Sequence, residues 1–224
     1  MYRMISTVTA ADAGNAVTRP TVFVVDDDVS VRESLELLIK SAGWRPILFD
    51  SANAFLEASV IPSPSCLVLD VNMPGLNGLD LQGMITGNRS IMPIIFVSGF
   101  GDVPITVKAL KGGALDFLTK PIDTRALLDA VRAALERSEA MLRDDGDLLQ
   151  LHSRFEALTK REREVMVRVV KGLLNKQVAY ELDISEVTVK AHRGQVMRKM
   201  CARTLPDLVN IASRLQLDET HDLH

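Results

Sequence analysis

Residues 67–78 read LVLDVNMPGLNG, and this stretch decides the fold. Leu67, Val68 and Leu69 make a short run that is apolar on both faces, as a strand covered from both sides requires. Asp70 ends the run, Pro74 and Gly75 are turn formers, and a helical pattern opens at Gly78. Outward from here the same unit recurs. Apolar runs at 22–25, 46–49, 67–69, 94–97 and 115–118 alternate with amphipathic stretches at 30–41, 52–57, 78–86, 104–111 and 124–137. Five strand–helix units in about 115 residues predict an α/β fold, an open, doubly wound, five-stranded parallel sheet of the flavodoxin-like kind. Right-handed crossovers then put helices on both faces.

From residue 155 the pattern is helical throughout, which predicts a second, all-α domain. The reading along the chain is a disordered N-terminal tail over 1–19, the sheet domain over 20–137, a helical linker over 138–154 that breaks at Gly146, the helical domain over 155–217 and a C-terminal tail over 218–224. Leu128, Leu135, Leu142 and Leu149 recur every seven residues. A dimer seam is one reading, and burial of the first two against the sheet is the simpler one.

The net charge of −3 conceals an asymmetry. Residues 20–137 hold 10 Lys and Arg against 14 Asp and Glu, whereas residues 151–217 hold 13 against 7. The first half suits a cation and the second a polyanion. Aromatic residues are only 4% of the chain, so Val, Ile, Leu, Ala and Met must build the cores. No apolar run approaches the length of a membrane span, and residues 1–20 lack the apolar core of a secretory signal, so a cytoplasmic protein without a membrane partner is expected. Cys66 and Cys201 have no His or Cys at metal spacing and read as free buried thiols.

Every chemical candidate of the first half sits at the C-terminal end of a predicted strand. Asp26, Asp27 and Asp28 follow the first, Asp70 ends the third, Ser98 the fourth, and Lys120 follows the fifth. In a doubly wound sheet these ends converge on one crevice. Clustered carboxylates repel one another unless a cation neutralises them, and Mg2+ does so while leaving room for phosphate oxygens. Asp70 can then stay an ionised nucleophile toward phosphorus, with Lys120 pairing the phosphate and Ser98 donating to it. Asp28 and Asp102 read equally well as helix caps or turn residues.

The segments VVDDD (24–28), LVLDVNMPGLNG (67–78), IIFVSGFGD (94–102) and DFLTKP (116–121) resemble, in order and spacing, the signature segments of bacterial response-regulator receiver domains. The resemblance implies that Asp70 is the phosphoacceptor, and that Asp26, Asp27, Asp70 and the backbone carbonyl of Asn72 are Mg2+ ligands. It makes Ser98 and Phe117 the switch residues and Lys120 the phosphate partner. A phosphatase using Asp70 as its nucleophile would usually need a second acid where Asn72 stands, so the chain is not expected to be an enzyme.

The stretch LTKREREVMVRVVKGLLNKQVAYELDISEVTVKAHRGQVMRKM (158–200) divides into three amphipathic helices. Thr159 and Glu162 form a capping box, Asn175 opens the second helix, Asp183 lies in the turn and Ser185 caps the third. A short helix, a turn and a longer helix make a helix-turn-helix, whose second helix enters the major groove. Val189, Val196 and Met200 should be core, with Lys190, Arg193, Gly194 and Met197 on the opposite face. Lys190 and Arg193 are placed to read bases, and Thr159, Lys176, Thr188 and Arg198 to hold phosphates. The segment resembles the LuxR/FixJ-type DNA-binding domain, with two departures: Leu174 stands where a small polar residue is frequent, and Gly194 replaces a bulkier side chain. Together the halves resemble a FixJ/NarL-type response regulator. The resemblance implies a histidine kinase partner, double-stranded operator DNA and a homodimer formed on phosphorylation.

Overall fold

The computed structural model describes residues 19–58, 63–85, 92–99 and 103–217. The expected tails lie almost wholly outside the described residues, as does Asp102. The chain divides into two compact units, one ending at Leu142 and the other beginning at Arg143.

The first unit is built on strands β1 (Thr21–Val25), β2 (Arg45–Phe49), β3 (Ser65–Asp70), β4 (Ile94–Ser98) and β5 (Asp116–Thr119). All neighbours are parallel, in the order β2-β1-β3-β4-β5. Helices α1 (Val29–Ser41), α2 (Ala52–Glu57), α3 (Gly78–Ile85), α4 (Val103–Lys111) and α5 (Thr124–Glu156) connect or follow them. The two-residue period of a strand sorts the core into two layers. Val22, Val24, Cys66, Val68, Ile95 and Val97 pack on Leu35 and Ile39 of α1 and on Leu127 and Val131 of α5. Phe23, Val25, Leu67, Leu69, Ile94 and Phe96 pack on Phe55 of α2, Leu81 and Ile85 of α3 and Ala109 of α4. Both faces of β1, β3 and β4 are therefore buried, which is why their sequences read as continuous apolar runs. The order in which strands are added reverses between β1 and β3, with β2 on one side and β4 and β5 on the other, which opens the crevice at their C-terminal ends.

Several details differ from the sequence reading, beginning with strand ends that move by one or two residues. β5 begins one residue later than expected, at Asp116. α5 continues through Gly146 to Glu156, because one glycine among good helix formers costs only about 1 kcal/mol. Cys66 is buried as expected, but Cys201 is exposed, just beyond the end of a helix. Of the heptad leucines, Leu135 is buried against the sheet whereas Leu149 is exposed.

The second unit contains α6 (Lys160–Val170), α7 (Asn175–Leu182), α8 (Glu186–Lys199) and α9 (Leu205–Arg214). Its core gathers Leu158, Val165, Met166, Val178, Leu182, Val189, Val196, Met200, Leu208 and Ala212. Thr159 accepts from Glu162 N while Glu162 accepts from Thr159 N, completing the capping box of α6. Ser185 caps α8 by accepting from Thr188 N. Between α7 and α8, Asp183 turns the chain in the left-handed region, at φ 52°. α9 was not separated from the general helical pattern by its sequence, although Thr204, Pro206 and Asp207 supply a start signal there.

Candidate functional site

The sheet brings the acidic residues together. Asp26 directly follows β1 and is 2% exposed, and Asp70 is the last residue of β3 and is 5% exposed. Asp27 lies beside them but faces solvent, and carboxylate oxygens of all three fall within 4.8 Å of one another. Lys120, just after β5, reaches across the sheet end. Its Nζ lies 2.8 Å from Asp26 Oδ2 and 3.2 Å from Asp70 Oδ1.

Backbone groups and a cation hold this arrangement. Asp26 Oδ1 accepts from Asp28 N at 2.9 Å, and Asp70 Oδ2 accepts from Asn72 N at 3.2 Å. Arg32, on the first turns of α1, donates from Nη1 to the Asp26 carbonyl at 2.6 Å. No sequence motif marked Arg32, since the bond depends on how α1 leaves the loop. Asp28 caps α1, accepting from Ser30 N at 2.8 Å, as one of the two readings expected.

Burial raises the Asp70 carboxyl above the ordinary carboxylate range; the Lys120 ammonium works against this, and the charges of Asp26 and Asp27 add to it. For Lys120 burial acts downward, yet the hydrogen bond to Asp26 and the attraction of Asp70 outweigh it, so its ammonium is held above the usual lysine value. The pocket therefore contains more negative charge than one lysine neutralises. Its donors are hard oxygens on a partly open rim, the donor set of a Mg2+- or Ca2+-type cation rather than of zinc or copper.

Ser98 ends β4 fully buried, and its carbonyl accepts from Lys120 N at 2.8 Å, tying the two strand ends. Phe117 on β5 is half-buried, its ring centroid 6.2 Å from that of Phe96. Gly78, at the start of α3, is a residue the sequence reading used only as a helix start. A Cβ there would lie 2.3 Å from the Asp70 carbonyl oxygen, so α3 can approach β3 this closely only with glycine.

In the second unit, α8 presents Val187, Lys190, Ala191, Gly194 and Arg198 to solvent along one face. Met197 is not on that face; it packs partly against the core, because α8 is turned so that Val189, Val196 and Met200 point inward. Arg193 is half-buried and donates from Nη1 to Asn175 Oδ1 of α7 at 3.2 Å. Arg198 is paired with Gln195, and the Thr188 hydroxyl lies 2.8 Å from that of Ser185. Thr159 holds its cap, and Lys176 is exposed on the second residue of α7. Leu174 is exposed, and its backbone N–H donates to Gln177 Oε1 at 2.8 Å. The sequence reading missed the bond of Lys199 Nζ to Glu162 Oε2, 2.6 Å, which joins α8 to the start of α6.

Comparison with known proteins agrees with both halves. The model of the response regulator receiver domain matches residues 22–132, and that of the luxR family of bacterial regulatory proteins matches residues 156–212. Nodulation protein W of Bradyrhizobium diazoefficiens is 48% identical over 92% of this chain and 91% of its own length. The transcriptional regulatory protein FixJ of Azorhizobium caulinodans is 45% identical, over 85% of this chain and 90% of that protein. The structure of response regulator StyR superposes with a TM-score of 0.76 at 45% identity, covering 88% of this chain and 99% of that one. Full-length FixJ from B. japonicum superposes with a TM-score of 0.54 at 39% identity, covering 90% and 99%. No helix among the described residues is long and apolar enough to cross a membrane. An acidic pocket at the ends of a parallel sheet, a helix-turn-helix with a basic face and these relatives lead to one assignment: the chain belongs to the transcriptional response regulators that join a receiver domain to a LuxR-type DNA-binding domain.

Proposed function

We propose that Asp70 is the residue phosphorylated by a partner histidine kinase, and that its phosphorylation controls DNA binding by the second unit. The observation that carries this reading is the meeting of Asp26, Asp27 and Asp70 with Lys120 at one sheet end. Asp26, Asp27, Asp70 and the Asn72 carbonyl would hold Mg2+. When bound, the cation neutralises the excess carboxylate charge and stabilises charge on the transferring group. A carboxylate oxygen of Asp70 forms the new P–O bond as the P–N bond to the kinase histidine breaks. The bonding pair leaves with the imidazole nitrogen, which then takes a proton. Lys120 pairs with the phosphoryl oxygens, Ser98 donates its hydroxyl to them, and Phe117 beside it follows the change of packing. The chain acts as a phosphoacceptor, with at most slow hydrolysis of its own aspartyl phosphate.

Residues 20–137 are assigned to the receiver, 138–154 to a helical linker and 155–217 to the DNA-binding domain. Val103, Val107 and Leu110 are exposed along one side of α4, at 72%, 43% and 45%. That apolar stripe supports dimerisation through the α4 face, which puts two recognition helices on the half-sites of an operator. Lys190 reads bases, and Lys176, Thr159, Thr188 and Arg198 contact phosphates. Arg193 joins the base contacts once it leaves Asn175. A DNA partner and a kinase donor both suit a cytoplasmic protein.

Incubation with acetyl phosphate and Mg2+, followed by intact-mass measurement and sizing, tests this reading. One added phosphoryl group lost in Asp70→Asn, with a shift to dimer lost in Val107→Glu, is the expected result. An unmodified Asp70 would overturn it.

A further inference from the structure

Gly194 lies in the interior of α8, where glycine is among the poorest helix formers. A Cβ at this position would meet nothing within 4 Å, and its backbone is not among the positive-φ residues. Among the described residues of the unit, nothing therefore calls for glycine here, in contrast to Gly78. Two turns earlier on the same face, Val187 is 76% exposed, an apolar side chain in the first turn of the recognition helix. Lys190 and Ala191 lie between them, also exposed. Met197 packs against the core, so between Val187 and Gly194 this face carries only Lys190 and Ala191, with Arg198 one turn beyond Gly194.

We infer that Val187 and Gly194, beside Lys190, set which sequence this protein selects: Gly194 lets α8 lie close to the floor of the major groove, and Val187 packs against thymine methyl groups there. The inference rests on the reading of α8 as the recognition helix and adds what that helix recognises. A DNA duplex is the occupant, because Lys190 and Arg198 put positive charge on the face, Lys176 is exposed on α7, and residues 151–217 carry 13 Lys and Arg against 7 Asp and Glu. The major groove is also where an apolar side chain finds an apolar group, the C5-methyl of thymine. Glycine removes the side-chain layer that would otherwise hold the helix axis away from the base edges.

The test uses the full chain, treated with acetyl phosphate and Mg2+, and a pool of randomised duplexes. The enriched duplex is then remade with deoxyuridine in place of thymidine, one position at a time. Wild type should lose about fourfold in affinity at one or two positions per half-site, the worth of one buried methyl. Val187→Ala should be indifferent to the same replacements. Gly194→Ala should bind the enriched duplex about tenfold or more weakly, the scale of one lost specific contact, while its melting temperature rises and its affinity for mixed-sequence DNA stays unchanged. A purely structural glycine would move folding and binding together. Wild-type indifference to deoxyuridine, persistence of the effect in Val187→Ala, or undiminished binding by Gly194→Ala would each overturn the inference with the DNA-binding reading intact. Enrichment of no sequence would overturn both.

Discussion

Gly78 and the Asp70 carbonyl are so close that a single added carbon at residue 78 would fall 2.3 Å from that oxygen. The contact places the first turn of α3 against the end of β3, where Gly78 N also donates to Val71 O at 3.0 Å. Gly78→Ala must push the strand end or the helix away. The cost expected is about 1–3 kcal/mol of receiver stability, read as a lowered urea midpoint, together with slower labelling of Asp70 by acetyl phosphate. Unchanged labelling would show that the backbone yields without moving the carboxylate.

Lys120 stands between two buried carboxylates, and its removal leaves them facing each other. Lys120→Ala should cut phosphorylation at least about tenfold, equivalent to about 1.4 kcal/mol of barrier. Mg2+ should raise the melting temperature of the variant more than that of wild type, since a divalent cation then replaces the positive charge that Lys120 supplied. Equal Mg2+ responses in calorimetry would contradict the shared use of these carboxylates.

Glu162 connects the α6 cap to α8. Burial alone would raise its carboxyl, but the hydrogen bonds from Lys199 and the Thr159 backbone hold it below the ordinary glutamate value. A depressed carboxylate contributes stability above its unfolded pKa of about 4.3 and loses it as pH falls toward the lower folded value. Glu162→Gln should therefore destabilise the second unit by about 1–3 kcal/mol at pH 7. The gap from wild type should close below about pH 4, as followed by thermal unfolding across the acid range.

Lys176 and Lys190 are both exposed, and the proposed function gives them different roles on a duplex, phosphate contact and base reading. Lys176→Ala should weaken binding to all sequences alike and reduce the salt slope by about one. Lys190→Ala should instead relax base preference. Salt titrations on matched and mismatched duplexes separate the two, and identical behaviour would refute the division of roles.

Cys201 follows α8 in the left-handed region, at φ 55°, where a side chain is strained and glycine is not. It is exposed, so nothing is lost from a core by replacing it. Cys201→Gly should stabilise the second unit by about 0.5–1 kcal/mol, measured as a higher melting temperature.

The fold was legible because its signals are local. Continuous apolar runs such as 22–25 and 94–97 announce strands buried on both faces, and Thr159 with Glu162, or Ser185 before α8, announces a helix start. The acidic pocket was legible for a different reason: once the sheet is parallel and doubly wound, every strand must deliver its C-terminal residue to the same edge. Gly146 was misread because a lone glycine is a weak stop signal, and Met197 because a helical stripe drawn from sequence is uncertain by about one position.

What the sequence determined by itself was the order of elements, the two-unit division of chemistry and the residue types at each strand tip. Only the tertiary structure decided that Lys120 pairs with Asp26, 94 positions away, that Arg32 holds the Asp26 carbonyl, and that Arg193 turns back to Asn175 and leaves Val187 and Gly194 on the open face. Periodicity reports which way a side chain points relative to its own element; which partner it meets depends on how separate elements pack, and no local pattern carries that information.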